Sequence, residues 1–282
     1  MGLSTAMPQI SQGPLLTLEL VQQMQRAAEQ GETSWRCSLD LGRTESLLAL
    51  ERAGWRFGGQ HYPYPERCRE RTIYYWNGTA FEPAARYSGS LIKLVPTEWG
   101  APTFEIDGIK MLPTARVSPY EDARAKVALI EPRGKVILDC CGGLGYFAAW
   151  CLEGGARQVL SFEKNSEVLW LRGINPWSPA ADSRLSLRQA DIALHIHTLG
   201  AAMADAVLHD PPRFGIAGEL YSQEFYGELA RVLRRRGKLY HYTGSPNKLT
   251  SGRDVPREVA QRLARAGFRT QLRADGVLAT RN

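Results

Sequence analysis

Three groups of residues in this chain have the types and spacing to do chemistry. The first is the stretch Gly134 to Gly145, GKVILDCCGGLG, in which a short apolar run ends at Asp139 and is followed by Gly142, Gly143 and Gly145. Glycine tolerates a positive φ and has no Cβ, so such a turn lets backbone come close to a nucleotide-like ligand. The second is Glu163, 24 residues after Asp139, at the end of the next apolar run, Gln158 to Phe162. An acid at about this distance from a glycine turn is placed to accept hydrogen bonds from a ribose diol. The third is Asp210-Pro211-Pro212-Arg213-Phe214, which follows the apolar run Asp205 to His209. Consecutive prolines hold the backbone extended and remove two N–H donors, which makes the Asp210 carboxylate and the Pro211 carbonyl fixed acceptors. An amine whose lone pair must be aimed at an electrophile needs such acceptors.

The elements that must position these groups are legible from periodicity. Val136-Ile137-Leu138 has the composition of a strand buried on both faces of a parallel sheet, and Tyr146 to Trp150 opens a helix after the glycines. Ser118 and Glu121 with Pro119 between them form a capping box for a helix running to about Ile130. Further strands are expected at Leu185–Arg188, Asp205–His209 and Leu239–Gly244. Helices are expected at 165–173, through Leu233 after a lead-in over 218–226 with Gly237 as its stop, and at about 255–266. A closing hairpin is expected at 268–273 and 277–281 around Asp275-Gly276. The expected fold is therefore α/β, a doubly wound, Rossmann-like sheet of seven strands over residues 115–282. Asp191 ends the third strand and is open to two readings, a ligand contact or the N-cap of a helix over 192–199. The spacing GxGxxG is absent, which favours an adenosyl group with an amino-acid tail over a pyrophosphate.

These residues resemble motif I of the class I S-adenosylmethionine (SAM)-dependent methyltransferases, and DPPRF resembles the D/N/S-P-P-Y/F motif of the amino-methyltransferases. The strings NPWS (175–178), HDPPRFGIAGELYSQEFY (209–226), HYTG (241–244) and GRDV (252–255) are similar to a family of predicted SAM-dependent methyltransferases known from archaea and bacteria. The resemblance spans roughly residues 104–282. It implies SAM as cofactor, with Asp139, Gly142, Gly143, Gly145, Glu163 and Asp191 on the cofactor side, Glu163 taking the ribose and Asp191 the adenine amino group. It implies Asp210, Pro211 and Pro212 as the catalytic group and Arg213, Phe214 and Tyr221 on the substrate side, with no metal. Arg213 departs from the motif, which usually has an aromatic there; Arg213 or Phe214 is left to stack on a base. The expected acceptor is an exocyclic amine in RNA, cytidine first, with a small-molecule amine as the other substrate class. Two different readings stay open: aminopropyl transfer from decarboxylated SAM to a polyamine, for which Glu219 and Asp254 are the nearest candidates for an acid pair beside Asp210, and an RNA-binding module with a vestigial pocket.

Composition sets bounds. The chain has 282 residues, 44% apolar and 23% charged, with 35 Lys and Arg against 29 Asp and Glu and a net charge of +6. That balance mildly favours RNA as a partner, and the arginines of the last fifty residues suit either phosphate or a solvated helix face. Five cysteines without a CxxC pair fit a reducing cytoplasm. No segment reads as a signal peptide or a membrane span, so no membrane partner is expected.

Residues 1–14 read as a loose lead-in and 15–114 as a smaller β-rich domain suited to substrate recognition. A helix is expected over 15–28, and hairpins at Asn77-Gly78 and Asp107-Gly108. The tryptophans Trp35, Trp55, Trp76 and Trp99, interleaved with arginines, either stack on nucleic acid or form the core of the domain, which is the favoured reading for most of them.

Overall fold

The computed structural model describes residues 13–244 and 254–282. The lead-in up to residue 12, and the loop with Lys248 and Arg253 expected near the sheet edge, lie outside the described residues. The chain divides into two compact units: one ends at Asp122 and includes Trp170–Ser178, and the other comprises Ala123–Leu169 with Pro179–Asn282.

The first unit is β-rich. Its strands are β1 (Leu15–Leu16), β2 (Ser34–Cys37), β3 (Ser46–Glu51), β4 (Gly54–Phe57), β5 (Gln60–Pro63), β6 (Tyr74–Trp76), β7 (Phe81–Pro83), β8 (Ala85–Tyr87), β9 (Leu91–Val95), β10 (Thr103–Ile106) and β11 (Ile109–Lys110). They form three small sheets, ordered β1-β6-β7, β2-β3-β4-β5 and β11-β10-β9-β8. The helix expected from residue 15 starts later, as α1 (Leu18–Glu29), because Leu15 and Leu16 pair with Tyr75 and Tyr74 and Thr17 caps the helix by accepting from Leu20 N at 3.3 Å. Asp107 and Gly108 form a two-residue turn with φ of 49° and 79°, joining Ile106 to Ile109. At Asn77-Gly78 the loop is longer, 77–80. There the Asn77 side-chain oxygen accepts from Thr79 N and Ala80 N, both at 2.9 Å, and the strands separate earlier. Trp55 stacks on Tyr62 with ring centroids 4.5 Å apart, and Trp76 meets Tyr62 edge-on. With Leu16, Met24 and Leu48 they are buried, so the core reading holds for these aromatics, while Trp99 is 41% exposed.

The chain continues with α2 (Pro119–Ile130), whose first turn belongs to the first unit, β12 (Val136–Asp139), α3 (Tyr146–Glu153), β13 (Gln158–Glu163), α4 (Ser166–Ile174), whose end from Trp170 also belongs to the first unit, β14 (Leu185–Gln189), α5 (Ile192–His195), β15 (Ala204–His209), α6 (Gln223–Val232), β16 (Leu233–Tyr242), α7 (Val255–Arg265), β17 (Phe268–Arg273) and β18 (Gly276–Arg281). Seven strands form one sheet in the order β14-β13-β12-β15-β16-β18-β17. The first five are parallel, and β18 lies antiparallel between β16 and β17. This is the expected doubly wound, Rossmann-like sheet. Its chain order turns back between β12 and β15, and in such sheets ligands bind in the crevice outside the carboxyl ends of the strands at that switch point. The core between sheet and helices is built from Leu138, Phe162, Val207, Tyr226, Leu229 and Leu239, all nearly inaccessible.

One boundary differs from expectation. The helix read through Leu233 stops at Val232, and Leu233 opens β16 opposite Ala204 of β15. Leu233 is fully buried there, and that burial outweighs the helix propensity of the three arginines after it. Among the described residues, no helix is long and apolar enough to cross a membrane.

Candidate active site

The glycine turn is tied to both neighbouring strands. Cys140 N donates to Leu208 O of β15 at 3.0 Å, and Gly142 N donates to Phe162 O of β13 at 2.7 Å. Gly143 and Gly145 adopt φ of 49° and 86°, the left-handed region that side chains disfavour, and Gly145 is the N-cap of α3. Gly143 N donates to Glu163 Oε2 at 3.0 Å, and Asn165 N donates to the other oxygen, Oε1, at 2.9 Å. Glu163 thus clamps the glycine turn to the tip of β13. Asp139, only 1% exposed, accepts from the Ser161 hydroxyl at 2.7 Å, so its carboxylate is held inside the sheet edge.

Asp191 follows β14 and caps α5 by accepting from Ala193 N at 2.9 Å. Its other oxygen lies 3.4 Å from Lys164 Nζ, and the same ammonium is 3.9 Å from Glu219. The N-cap role is therefore present, and Lys164 joins Asp191 to Glu219. Asp254, the other acid considered for a polyamine site, caps α7 through Arg257 N and lies 3.4 Å from the Arg257 guanidinium.

Asp210-Pro211-Pro212 leaves the carboxyl end of β15, as the strand pattern requires. Pro211 is buried, Asp210 and Pro212 are half-buried, and Arg213 and Phe214 are exposed. Tyr221 is 3% exposed, and its hydroxyl donates to Pro212 O at 3.0 Å. Its ring meets Phe214 edge-on at 5.5 Å. The structure thus places Tyr221 beneath the loop as its support, with Phe214 above it.

Burial pushes the Cys141 thiol well above its usual range, with Cys140 and then the Glu163, Asp139 and Asp210 carboxylates adding to the shift. Burial likewise raises the Tyr221 hydroxyl, with Asp210 contributing, so Tyr221 stays a neutral donor.

Behind the DPP loop stands a group to which no sequence pattern assigns a role. His209 and His241 are completely buried, their rings perpendicular with centroids 4.5 Å apart. His209 Nε2 lies 3.0 Å from Leu220 O, which can only accept, so the proton sits on Nε2. His241 Nδ1 donates to Tyr242 O at 2.7 Å, leaving Nε2 to accept from the Tyr226 hydroxyl at 2.9 Å. Burial lowers the pKa of His209 to about 4, and burial together with His209 holds His241 well below its usual value. Both imidazoles are neutral supports of the loop. The available signal was a histidine inside each of two apolar strands, His209 and His241, next to the ligand edge.

No family model matches the chain. An uncharacterized protein of Methanocaldococcus jannaschii is 42% identical over 194 residues, which cover 68% of this chain and 66% of that protein. A spermidine synthase solved with the transition-state analogue AdoDATO matches at a TM-score of 0.56 and 16% identity, covering 74% of this chain and 76% of its own. MnmC2 from Aquifex aeolicus matches at a TM-score of 0.50 and 19% identity, covering 70% of this chain and 71% of its own. At these identities the solved structures show a shared fold, the seven-stranded Rossmann-like sheet with its antiparallel strand.

Proposed function

We propose that this chain is a SAM-dependent methyltransferase acting on a nitrogen. The observation that carries the reading is geometric: Gly143 N of the glycine turn donates to Glu163 at 3.0 Å, and Cys140 N of the same turn donates at 3.0 Å to Leu208 O of β15, the strand from which Asp210 leaves. The donor set fits SAM. Gly143 and Gly145 take the left-handed conformation that lets backbone approach a ligand, Glu163 offers a carboxylate for ribose hydroxyls at a strand tip, and Asp191 offers one for an adenine amino group. Bound SAM supplies a methyl on a sulfonium, already an activated electrophile, so the protein's task is alignment. Asp210 and the Pro211 carbonyl accept from the amine of the substrate, draw its nitrogen towards tetrahedral geometry and turn its lone pair to the methyl. Tyr221 fixes Pro212, and the neutral His209 fixes the end of β15. Positioning of this kind is worth up to about 7–11 kcal/mol of a barrier when the geometry is ideal.

The acceptor we favour is an exocyclic amine in RNA, cytidine first, in keeping with the net charge of +6 and the exposed Arg213 and Phe214. The polyamine reading needs an acid pair open to a cation. Glu219 lies 3.9 Å from Lys164 and Asp254 3.4 Å from Arg257, so each acid already stands beside a cation of the chain that a polyamine would have to displace. The test is incubation of cellular RNA, small amines and protein extract with labelled SAM and, in parallel, with labelled decarboxylated SAM, followed by mass spectrometry. Methylated cytidine in RNA supports the full reading, and a methylated small amine keeps the activity and changes the substrate. Product formed only from decarboxylated SAM overturns methyl transfer.

A further inference from the structure

The opposite edge of the sheet carries a recess that no part of the methyl-transfer reading uses. It lies at the amino ends of β12, β13 and β15, whereas the glycine turn and Asp210 lie at their carboxyl ends. Every lining residue is charged or glycine, and six cations face two carboxylates. Arg234 and Arg157 approach Asp205 at 2.7 and 3.8 Å, and Lys238 and Lys135 approach Glu131 at 2.7 and 3.9 Å. Those pairs consume the two acids. Arg235 and Arg236 are exposed and have no ion-pair partner among the described residues.

The backbone is built to present them. β15 and β16 pair at Ala204 with Leu233 and next at Ala206 with Lys238, so the arginine run bulges out of the ladder. Arg236 is held at φ +60° and Glu131, across the recess, at φ +53°. A left-handed conformation is disfavoured for a residue that carries a side chain, and bulges and strained residues cluster where a protein re-aims side chains for function. Gly237 locks the bulge, because a Cβ there would sit 2.7 Å from Arg234 O and from Leu233 Cδ1. Burial lowers the pKa of Lys135, and although Glu131 opposes the shift, the neighbouring Lys238 adds to it. An anion in the recess relieves that repulsion.

We propose that this recess is a second binding site, which takes the phosphodiester backbone of a single-stranded RNA between Arg235 and Arg236 and the paired cations behind them. Planar arginine forks match phosphate oxygens two at a time. A membrane surface is disfavoured because the lining offers no apolar side chain to insert among lipids. The site is independent of which atom the catalytic edge acts on.

The experiment is fluorescence anisotropy of a fluorescein-labelled mixed-sequence single-stranded RNA with the full chain, over a series of salt concentrations. Each lost phosphate contact removes about 0.7 from the slope of log affinity against log salt, so R235A/R236A should lower the slope by about 1.4. R235K/R236K, which keeps the charge, should restore most of it, with melting curves confirming that both variants fold. Calorimetry should find SAM binding the same in wild type and variants, which separates failure here from failure of the methyltransferase reading. An unchanged slope in the alanine variant overturns the proposal, as does wild-type protein that does not bind the RNA. Displacement of the RNA by inorganic phosphate at matched ionic strength overturns it in favour of a small phosphate ligand. Vesicles of anionic lipid that bind wild type but not the alanine variant, while RNA binds both alike, overturn it in favour of a membrane.

Discussion

Replacing Glu163 by alanine separates the task its carboxylate performs in the fold from the one proposed for it in the cofactor site. In the folded chain its oxygens accept from Gly143 N at 3.0 Å and Asn165 N at 2.9 Å, and in the proposed complex they also meet ribose hydroxyls. A hydrogen bond to a charged acceptor contributes about 1.5–3 kcal/mol net. Both backbone donors lie near the surface and can take water in the variant, so the stability loss should be nearer one such bond than two, about 1.5–3 kcal/mol. At about 2–4 °C per kcal/mol for a chain of this size, melting should fall by several degrees. Loss of the ribose contact should weaken SAM by a similar energy, roughly 10- to 150-fold in Kd. Glu163→Gln keeps one acceptor oxygen and turns an NH2 towards the other donor, so it should fall between wild type and alanine in both readouts. Isothermal calorimetry with SAM and its demethylated product, beside scanning calorimetry of the apo chain, measures the two effects separately. A lower melting temperature with SAM affinity within twofold of wild type would show that Glu163 only holds the glycine turn. NAD binding without SAM binding would refute the cofactor assignment as a whole.

Asp210→Ala should leave SAM binding near wild type and lower the single-turnover rate by about 10²–10⁴, with Asp210→Asn milder because its amide oxygen still accepts; full activity in the alanine variant would reduce the DPP sequence to a loop. Tyr221→Phe removes the bond to Pro212 O, worth about 0.5–1.5 kcal/mol, and should lower turnover more than SAM affinity, whereas equal loss in both would place Tyr221 against the cofactor instead. His209, with its folded pKa depressed to about 4 from 6.5, adds stability that is complete above pH 6.5 and is lost as pH falls towards 4. The full span is on the order of 3 kcal/mol, so melting temperature should drop between pH 7 and pH 4.5 and the drop should shrink in His209→Gln; identical pH profiles would mean that His209 does not titrate with unfolding.

The glycine turn, Glu163 and the DPP sequence were legible from the sequence because each is a local event at the end of an apolar run. A strand's carboxyl end is written in a few neighbouring residues, and a doubly wound sheet brings all such ends to one edge. The same logic located the closing hairpin, and with it the antiparallel β18. Local pattern failed where burial elsewhere decides. The arginines after Val232 favour a helix by propensity, but Leu233 is drawn into the sheet beside Ala204, and the run becomes a bulge. The N-terminal strands read as one β-rich domain, yet they divide into three sheets, because partner choice among short strands depends on contacts remote in sequence. Asp191 could be read two ways until the fold placed Ala193 N and Lys164 on its two oxygens. The pairing of His209 with His241 and Tyr226 joins residues up to 32 positions apart, and the basic recess joins Glu131 to Lys238 across 107. Periodicity carries no information about such meetings; the sequence alone determined where the chain could do chemistry, and only packing decided what stands behind it.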